Sequence, residues 1–161
     1  MTEILVYETT NQMKVLFIGG TGNISTASSR LAVEKGMELY VLNRGNSKVT
    51  IKGANSIIGD ITKLETLMEL QGHEWDVVVN WIAFTPEDIE RDLELFTGKT
   101  KQYIFISSAS CYQTPLSYPV ITESTPVCNN LWDYSHNKIL CEQRLQKAYS
   151  CLLYTSDAAD E

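Results

Sequence analysis

A strand-like apolar run that empties straight into a glycine-rich turn constrains this chain more than any other stretch. Val15-Leu16-Phe17-Ile18 suits a buried strand, and Gly19-Gly20-Thr21-Gly22-Asn23-Ile24-Ser25 leads from it into a segment with helical character. A dinucleotide's pyrophosphate requires that order, because N–H groups at a helix start point at the anion. Gly19 allows the tight turn, and Gly22 lets the backbone approach a phosphate with no Cβ in the way. Ser25 stands where the usual fingerprint has its third glycine.

The rest of the chain alternates strands and helices. Thr26 to Lys35 reads as a helix with Ala27, Leu31 and Ala32 at helical spacing and Gly36 as its stop, and Leu39 to Leu42 as a second buried strand. Together with the glycine turn this fills the length of a βαβ unit. Ser56-Ile57-Ile58 is a short third strand ending at Gly59-Asp60, and Leu64, Leu67, Met68 and Leu70 mark a short helix stopped by Gly72. Asp76 to Ala83 is almost continuously apolar, as a central parallel strand buried on both faces should be, with Asn80 interrupting it. That buried amide needs partners, which a cofactor ribose or the next loop could supply. Thr85-Pro86-Glu87-Asp88 is a helix start, with Ile89, Leu93 and Phe96 on its inward face and Gly98 at its end. Tyr103 to Ile106 is a further strand, Pro115 to Pro126 a loop, and Tyr134 opens the last helix. This alternation predicts an open, doubly wound parallel α/β sheet of Rossmann type, whose ligands sit at the carboxyl ends of the strands.

The second strand ends in Asn43-Arg44-Gly45, where a dinucleotide site usually carries an acid for the adenosine ribose hydroxyls. A guanidinium pairs bidentately with a 2′-phosphate, so the residues favour NADP over NAD; the competing reading is an exposed arginine in a solvated turn. A net charge of −7 argues against binding a nucleic-acid backbone, which needs a basic face. No stretch resembles a signal peptide or a membrane span, so the expectation is a cytoplasmic protein with a small-molecule substrate and no membrane partner. At 161 residues there is room for one sizeable domain. Cys111, Cys128, Cys141 and Cys151 form no C-x-x-C pair and read as free thiols rather than as a nucleophile served by His136 or a metal site.

Tyr134 and Lys138 are four residues apart and share one helix face. A phenol is a poor base at neutral pH, but a nearby ammonium favours the phenolate. A hydroxyl such as Ser108 could hydrogen-bond the substrate oxygen whose proton Tyr134 exchanges, while hydride passes between the carbon and a nicotinamide.

From about Met13 to Tyr149 the sequence resembles the extended short-chain dehydrogenase/reductases of the NAD-dependent epimerase/dehydratase type. The motifs that carry the resemblance, in order, are Gly19-Gly20-Thr21-Gly22, Asp60, Asn80 to Ala83, Ser107-Ser108-Ala109-Ser110-Cys111-Tyr112 and Tyr134-x-x-x-Lys138. The resemblance implies an oxidoreductase, epimerase or dehydratase acting on an alcohol or carbonyl carbon, such as one of a nucleotide sugar. In it, Ser108 polarises the substrate, Tyr134 is the acid/base, and Lys138 tunes Tyr134 and holds the nicotinamide ribose. It places Gly19, Gly20, Thr21, Gly22, Asn23 and Ile24 at the pyrophosphate, Asn43 and Arg44 at the adenosine ribose and its 2′-phosphate, Asp60 at the adenine, and Asn80 and Ala83 on the cofactor.

Ser25 departs from the family's last glycine, which is expected to loosen the helix against the first strand, and Gln113 replaces a common glycine. The helix bearing Tyr-x-x-x-Lys often forms a dimer interface in the family, so a homodimer of the full-length parent is compatible with the resemblance. The other reading is a non-catalytic sensor or RNA-binding relative of the same fold; Ser108, Tyr134 and Lys138 favour the enzyme, and the acidic balance disfavours RNA.

Residues 1–12 form a leader with no place in this pattern, 13–150 an incomplete NAD(P)-binding domain, and 151–161 a segment resembling the translation of a transposase adapter used in preparing sequencing libraries. The expectation is that the natural chain diverges near Ser150, and that the fragment is inactive by itself.

Overall fold

A computed structural model describes residues 12–156, with side chains up to Tyr149. The leader therefore lies outside the described residues apart from Gln12, and the tail apart from the backbone of 151–156. The chain divides into two compact units. One comprises the residues up to Val79 with Thr100–Tyr103; the other comprises Asn80–Lys99 and the residues from Ile104 onward.

The elements are β1 (Lys14–Ile18), α1 (Ser25–Glu34), β2 (Glu38–Asn43), β3 (Asn55–Ile58), α2 (Leu64–Gln71), β4 (Trp75–Asn80), α3 (Pro86–Phe96), β5 (Thr100–Phe105), a short 3-10 turn (Ala109–Cys111) and α4 (Asp133–Ser156). The five strands lie in the order β3-β2-β1-β4-β5, and β1 pairs in parallel with β2, as β2 does with β3. The chain thus steps outward from β1 to β3 and returns to β4 on the other side of β1. Sheets of this kind take their ligands beyond the carboxyl end of the strand at which the order reverses, here β1.

In the first unit, Leu16, Ile18, Leu39 and Leu42 are fully buried. Burial of side chains of this size contributes about 1.5–3 kcal/mol each. The buried face of α1 is Ser25, Ser29 and Ala32, while Ala27 and Leu31, two of the three residues expected inward, are exposed. Small side chains win that face because the helix start packs on the glycine turn, where Ser29 Oγ donates to the Gly20 carbonyl at 2.7 Å. A Cβ on Gly20 would lie 2.9 Å from Ser29 Oγ, 3.0 Å from Val41 Cγ1 and 3.1 Å from Phe17 Cβ, so any side chain there forces its neighbours to shift. Leu64 and Met68 of α2 are likewise exposed, and Thr66 and Leu70 form its buried face.

In the second unit, α3 starts as its sequence dictates, with Pro86 at its first position. The Asp88 carboxylate accepts from the N–H groups of Phe84 (2.8 Å) and Thr85 (3.1 Å). Ala83, Ile89 and Cys141 form a buried cluster with Leu93, Phe105 and Leu145 packed against it. Arg144 of α4 also pairs with Glu90 of α3.

Three boundaries differ from expectation. β4 stops at Asn80 instead of running to Ala83, because the Asn80 side-chain oxygen captures the Ile82 N–H at 2.8 Å and turns the backbone out of the ladder. β5 runs Thr100–Phe105, and Ile106 instead donates to the Asn80 carbonyl at 3.2 Å. α4 continues past Ser150 to Ser156, since adding residues to an existing helix avoids the cost of nucleation and Leu152 and Leu153 are good helix formers.

Candidate functional site

The predicted site residues fall into two groups, one in each unit. Gly19 to Ile24, Asn43, Arg44 and Asp60 belong to the first; Asn80, Ala83, Ser108, Tyr134 and Lys138 belong to the second.

In the first unit, Gly19 has φ +88°, a left-handed conformation that glycine adopts without penalty, and its N–H donates to Leu42 O at 2.9 Å. Ser25 is buried and closes the turn. Its hydroxyl donates to Gly19 O at 3.0 Å and accepts from Gly22 N–H at 2.8 Å. Beyond this stitch, α1 begins without a side-chain cap, and the N–H groups of Asn23 and Ile24 have no acceptor among the described residues. Two such donors at the positive end of a helix dipole suit an anion.

Thr21 and Asn43 both line a cavity of about 190 Å³ with Val41, Gly45, Ser47 and Ile58. Asn43 also shapes its wall, since its side-chain oxygen accepts from Gly45 N–H at 2.8 Å and its carbonyl from Gly59 N–H at 2.9 Å. Arg44 is exposed beyond the end of β2. The Asp60 carboxyl is held below its ordinary range, first by the backbone N–H of Thr62 (2.9 Å) and then by its hydroxyl (2.8 Å), with the Arg44 and Lys63 charges adding to the effect. A bare glycine turn, free helix-start donors and an adjoining cavity together fit the phosphates and one nucleoside of a dinucleotide.

In the second unit, Lys138 is 1% exposed, and its ammonium donates to Ala83 O at 2.8 Å and Ile106 O at 2.7 Å. It lies 4.5 Å from the ring centroid of Phe105, 5.0 Å from that of Phe84 and 5.8 Å from that of Tyr134. Burial lowers its pKa from the usual lysine value, outweighing the neighbouring thiols and carboxylates that favour the charge. The Tyr134 ring sits between Trp132 at 4.9 Å and Phe84 at 6.1 Å.

Ser108 caps the 3-10 turn, accepting from Ser110 N–H at 3.2 Å and meeting Ser110 Oγ at 2.8 Å. Ser107 turns the other way and donates to Glu142. Ala83 takes part through its carbonyl, which grips Lys138.

Asn80 is 0% exposed, and protein groups satisfy its amide: Ile82 N–H on its oxygen and the Asp92 carboxylate on its nitrogen. Asp92 itself is 1% exposed and accepts from Arg91 Nε (3.2 Å) and Nη2 (3.0 Å). Sequence reading missed Asp92, Phe84, Trp132 and Ser135, and took Ser110 only as a member of the Ser107 to Tyr112 motif. Of the missed residues only Asp92 left a signal, a charge at the i+3 position from the inward Ile89. Burial pushes the Cys141 thiol up to about 11, so it is inert at neutral pH, and His136 contacts Asn130 at 3.1 Å.

The first unit thus carries a glycine turn at the β1 carboxyl end, and the second a buried lysine beside a tyrosine. Comparison with known proteins identifies the family. Residues 15–150 match the NAD dependent epimerase/dehydratase family. A UDP-glucose 4-epimerase of Lactobacillus helveticus is 30% identical over 152 residues, covering 81% of this chain and 46% of that protein. Among solved structures, UDP-glucose 4-epimerase from Bifidobacterium longum in complex with NAD+ and UDP has a TM-score of 0.74 at 21% identity, over 85% of this chain and 49% of that one. An enzyme from Bordetella bronchiseptica in complex with NAD and UDP has a TM-score of 0.66 at 19% identity, over 84% and 49%. The chain thus spans about half the length of these relatives, and over that span it belongs to the NAD-dependent epimerase/dehydratase family.

Proposed function

We propose that this chain supplies the cofactor-binding and acid/base portion of an enzyme that interconverts an alcohol and a carbonyl at one carbon of a UDP-linked sugar. The observation that carries this reading is Lys138: a cation so deeply buried is expensive, and it lies against the ring of the tyrosine whose proton must move.

Tyr134 exchanges the proton of the substrate hydroxyl, and Lys138 stabilises the phenolate that results. Ser108 donates a hydrogen bond to the same substrate oxygen. A bound nicotinamide would supply hydride chemistry at the substrate carbon. The Gly19 to Ile24 turn would hold its pyrophosphate, Asp60 the adenine, and Lys138 the nicotinamide ribose. Arg44, standing where such sites usually carry an acid at the end of β2, favours a 2′-phosphate and hence NADP over NAD. The sugar nucleotide is supported by the 30% identical relative, a UDP-glucose 4-epimerase.

The test uses the full-length gene product with UDP-glucose as probe. Tyr134→Phe is expected to lower turnover by about a hundredfold or more, as loss of a positioned general acid/base does. Unchanged turnover would refute the mechanism.

A further inference from the structure

Behind Ser108 lies a line of hydroxyls that the chemistry above leaves unused. Ser135 Oγ, fully buried on the first turn of α4, donates to Ser110 Oγ at 2.9 Å, and Ser110 Oγ lies 2.8 Å from Ser108 Oγ. Ser110 is also fixed through its backbone: its N–H donates to Ser108 Oγ at 3.2 Å, and its carbonyl accepts from Asn129 Nδ2 at 2.8 Å. Asn129 is itself buried and anchored by Leu131 N–H at 3.1 Å. Ser110 is therefore held from three directions.

The hydrogen-bonding capacity of these groups then sets a direction. A serine hydroxyl has one proton and two lone pairs. Ser110 Oγ accepts the Ser135 proton, so its own proton goes to Ser108. Ser108 Oγ then receives two donors, the N–H and the O–H of Ser110, and both its lone pairs are filled. What remains to it is a single proton with one way to go, out of the chain.

We propose that Ser110 and Ser135 are positioning residues that make the Ser108 hydroxyl an obligate donor to the substrate oxygen. The inference rests on the function proposed above and adds a polarity to it. Ser108 so held favours an oxygen that is gaining negative charge over a hydroxyl that still carries its proton. Each donor in the line is polarised by the one behind it, so the effect grows as charge develops. The same line joins the donor to the residue following Tyr134, tying both groups that meet the substrate oxygen to one turn of α4.

The test compares Ser110→Ala, Ser110→Thr, Ser135→Ala, Ser108→Ala and the double variant Ser108→Ala/Ser110→Ala in the full-length protein, with UDP-glucose as probe and Tyr134→Phe as control. Removing an oxyanion donor costs about 10²–10³ in kcat, and leaving it misdirected should cost about tenfold. Ser110→Ala is expected to lose that tenfold in kcat with KM changed by less than about threefold, the sign of an interaction made mainly in the transition state. Ser110→Thr, which keeps the hydroxyl, restores most of it. The double variant should be no slower than Ser108→Ala alone, since Ser110 acts only through Ser108.

A crystal structure of Ser110→Ala gives a readout independent of turnover: Ser108 Oγ should spread over more than one rotamer. Full kcat in Ser110→Ala and Ser135→Ala, multiplying effects of the Ser108 and Ser110 changes, or a single unchanged Ser108 rotamer would each overturn the proposal. If Tyr134→Phe and Ser108→Ala also keep full turnover, the proposed function itself falls and takes the hydroxyl line with it. If those two lose turnover while Ser110→Ala does not, only the line falls.

Discussion

Replacing Asp92 by alanine removes the acceptor on which a buried part of the second unit depends. Asp92 receives the Asn80 amide on one carboxylate oxygen and Arg91 on the other. Asn80 is fully buried, so its stranded N–H costs about 1–3 kcal/mol. Arg91 retains Asp88 at 2.8 Å, which keeps the loss toward the low end of the roughly 3–5 kcal/mol measured when a buried ion pair is broken. The expected loss is about 3 kcal/mol, or a fall in Tm of about 6–12 °C for a chain of this size.

The damage should also reach the site, because Asn80 holds the Ile82 N–H and the next residue, Ala83, supplies a carbonyl to Lys138. Urea unfolding of Asp92→Ala and Asp92→Asn measures the effect. The asparagine keeps an oxygen for Asn80 and should recover about half of the loss. A change below about 1 kcal/mol in Asp92→Ala would refute the idea that this carboxylate organises the end of β4.

Gly20→Ala should destabilise by about 1–3 kcal/mol in the same assay, the usual cost of overpacking. Ser29→Ala should rescue only part of it, because the Val41 and Phe17 contacts remain; full rescue would mean that Ser29 alone excludes the methyl group. For Lys138, whose folded-state pKa is lowered by burial, the unfolded chain binds more protons between that lowered value and the ordinary 10.5. Stability should therefore rise with pH through that window. Lys138→Met should flatten the rise in a series of urea midpoints, and identical slopes in the two proteins would contradict the assignment. Arg44→Ala should weaken NADPH binding about tenfold or more while leaving NADH within about twofold, as loss of a charge-assisted pair to a phosphate requires. Equal wild-type affinities for the two cofactors would remove the preference.

The order of strands and helices was legible because the strands are short, largely apolar runs, some closed directly by glycine, as at Ile18-Gly19 and Ile58-Gly59. The site residues were legible only where their spacing is local, as in the glycine turn and in Tyr134 and Lys138 one helical turn apart. What escaped the sequence depends on contacts between distant residues. Asp92 looks like one more charge on an amphipathic helix until Asn80 and Arg91 close around it. Ser110 and Ser135 are ordinary serines until α4 brings them within 2.9 Å. Leu31 fits an apolar stripe by periodicity, yet the glycine turn sets how closely α1 packs and selects Ser25, Ser29 and Ala32 instead. Ser25 carries the same lesson: its meaning lay in a hydroxyl that spans the turn rather than in the glycine it replaces.

The grip on the Lys138 ammonium also bears on how the second unit comes together. Its two carbonyl partners, Ala83 and Ile106, lie 55 and 32 residues away in sequence. A long loop must close before the charge finds each acceptor, and both must close before it has the two, so closure entropy is spent before the hydrogen bonds form. The ammonium is thus satisfied late, after α3 and the end of β5 have assembled around it. Stabilising interactions absent from the folding transition state govern the rate of unfolding. Lys138→Met should therefore act on the unfolding arm of a chevron and leave the folding arm in place, whereas a matching change in the folding arm would put this interaction in the nucleus. The residue assigned to tune an acid would then also serve as a latch on the lifetime of the folded state.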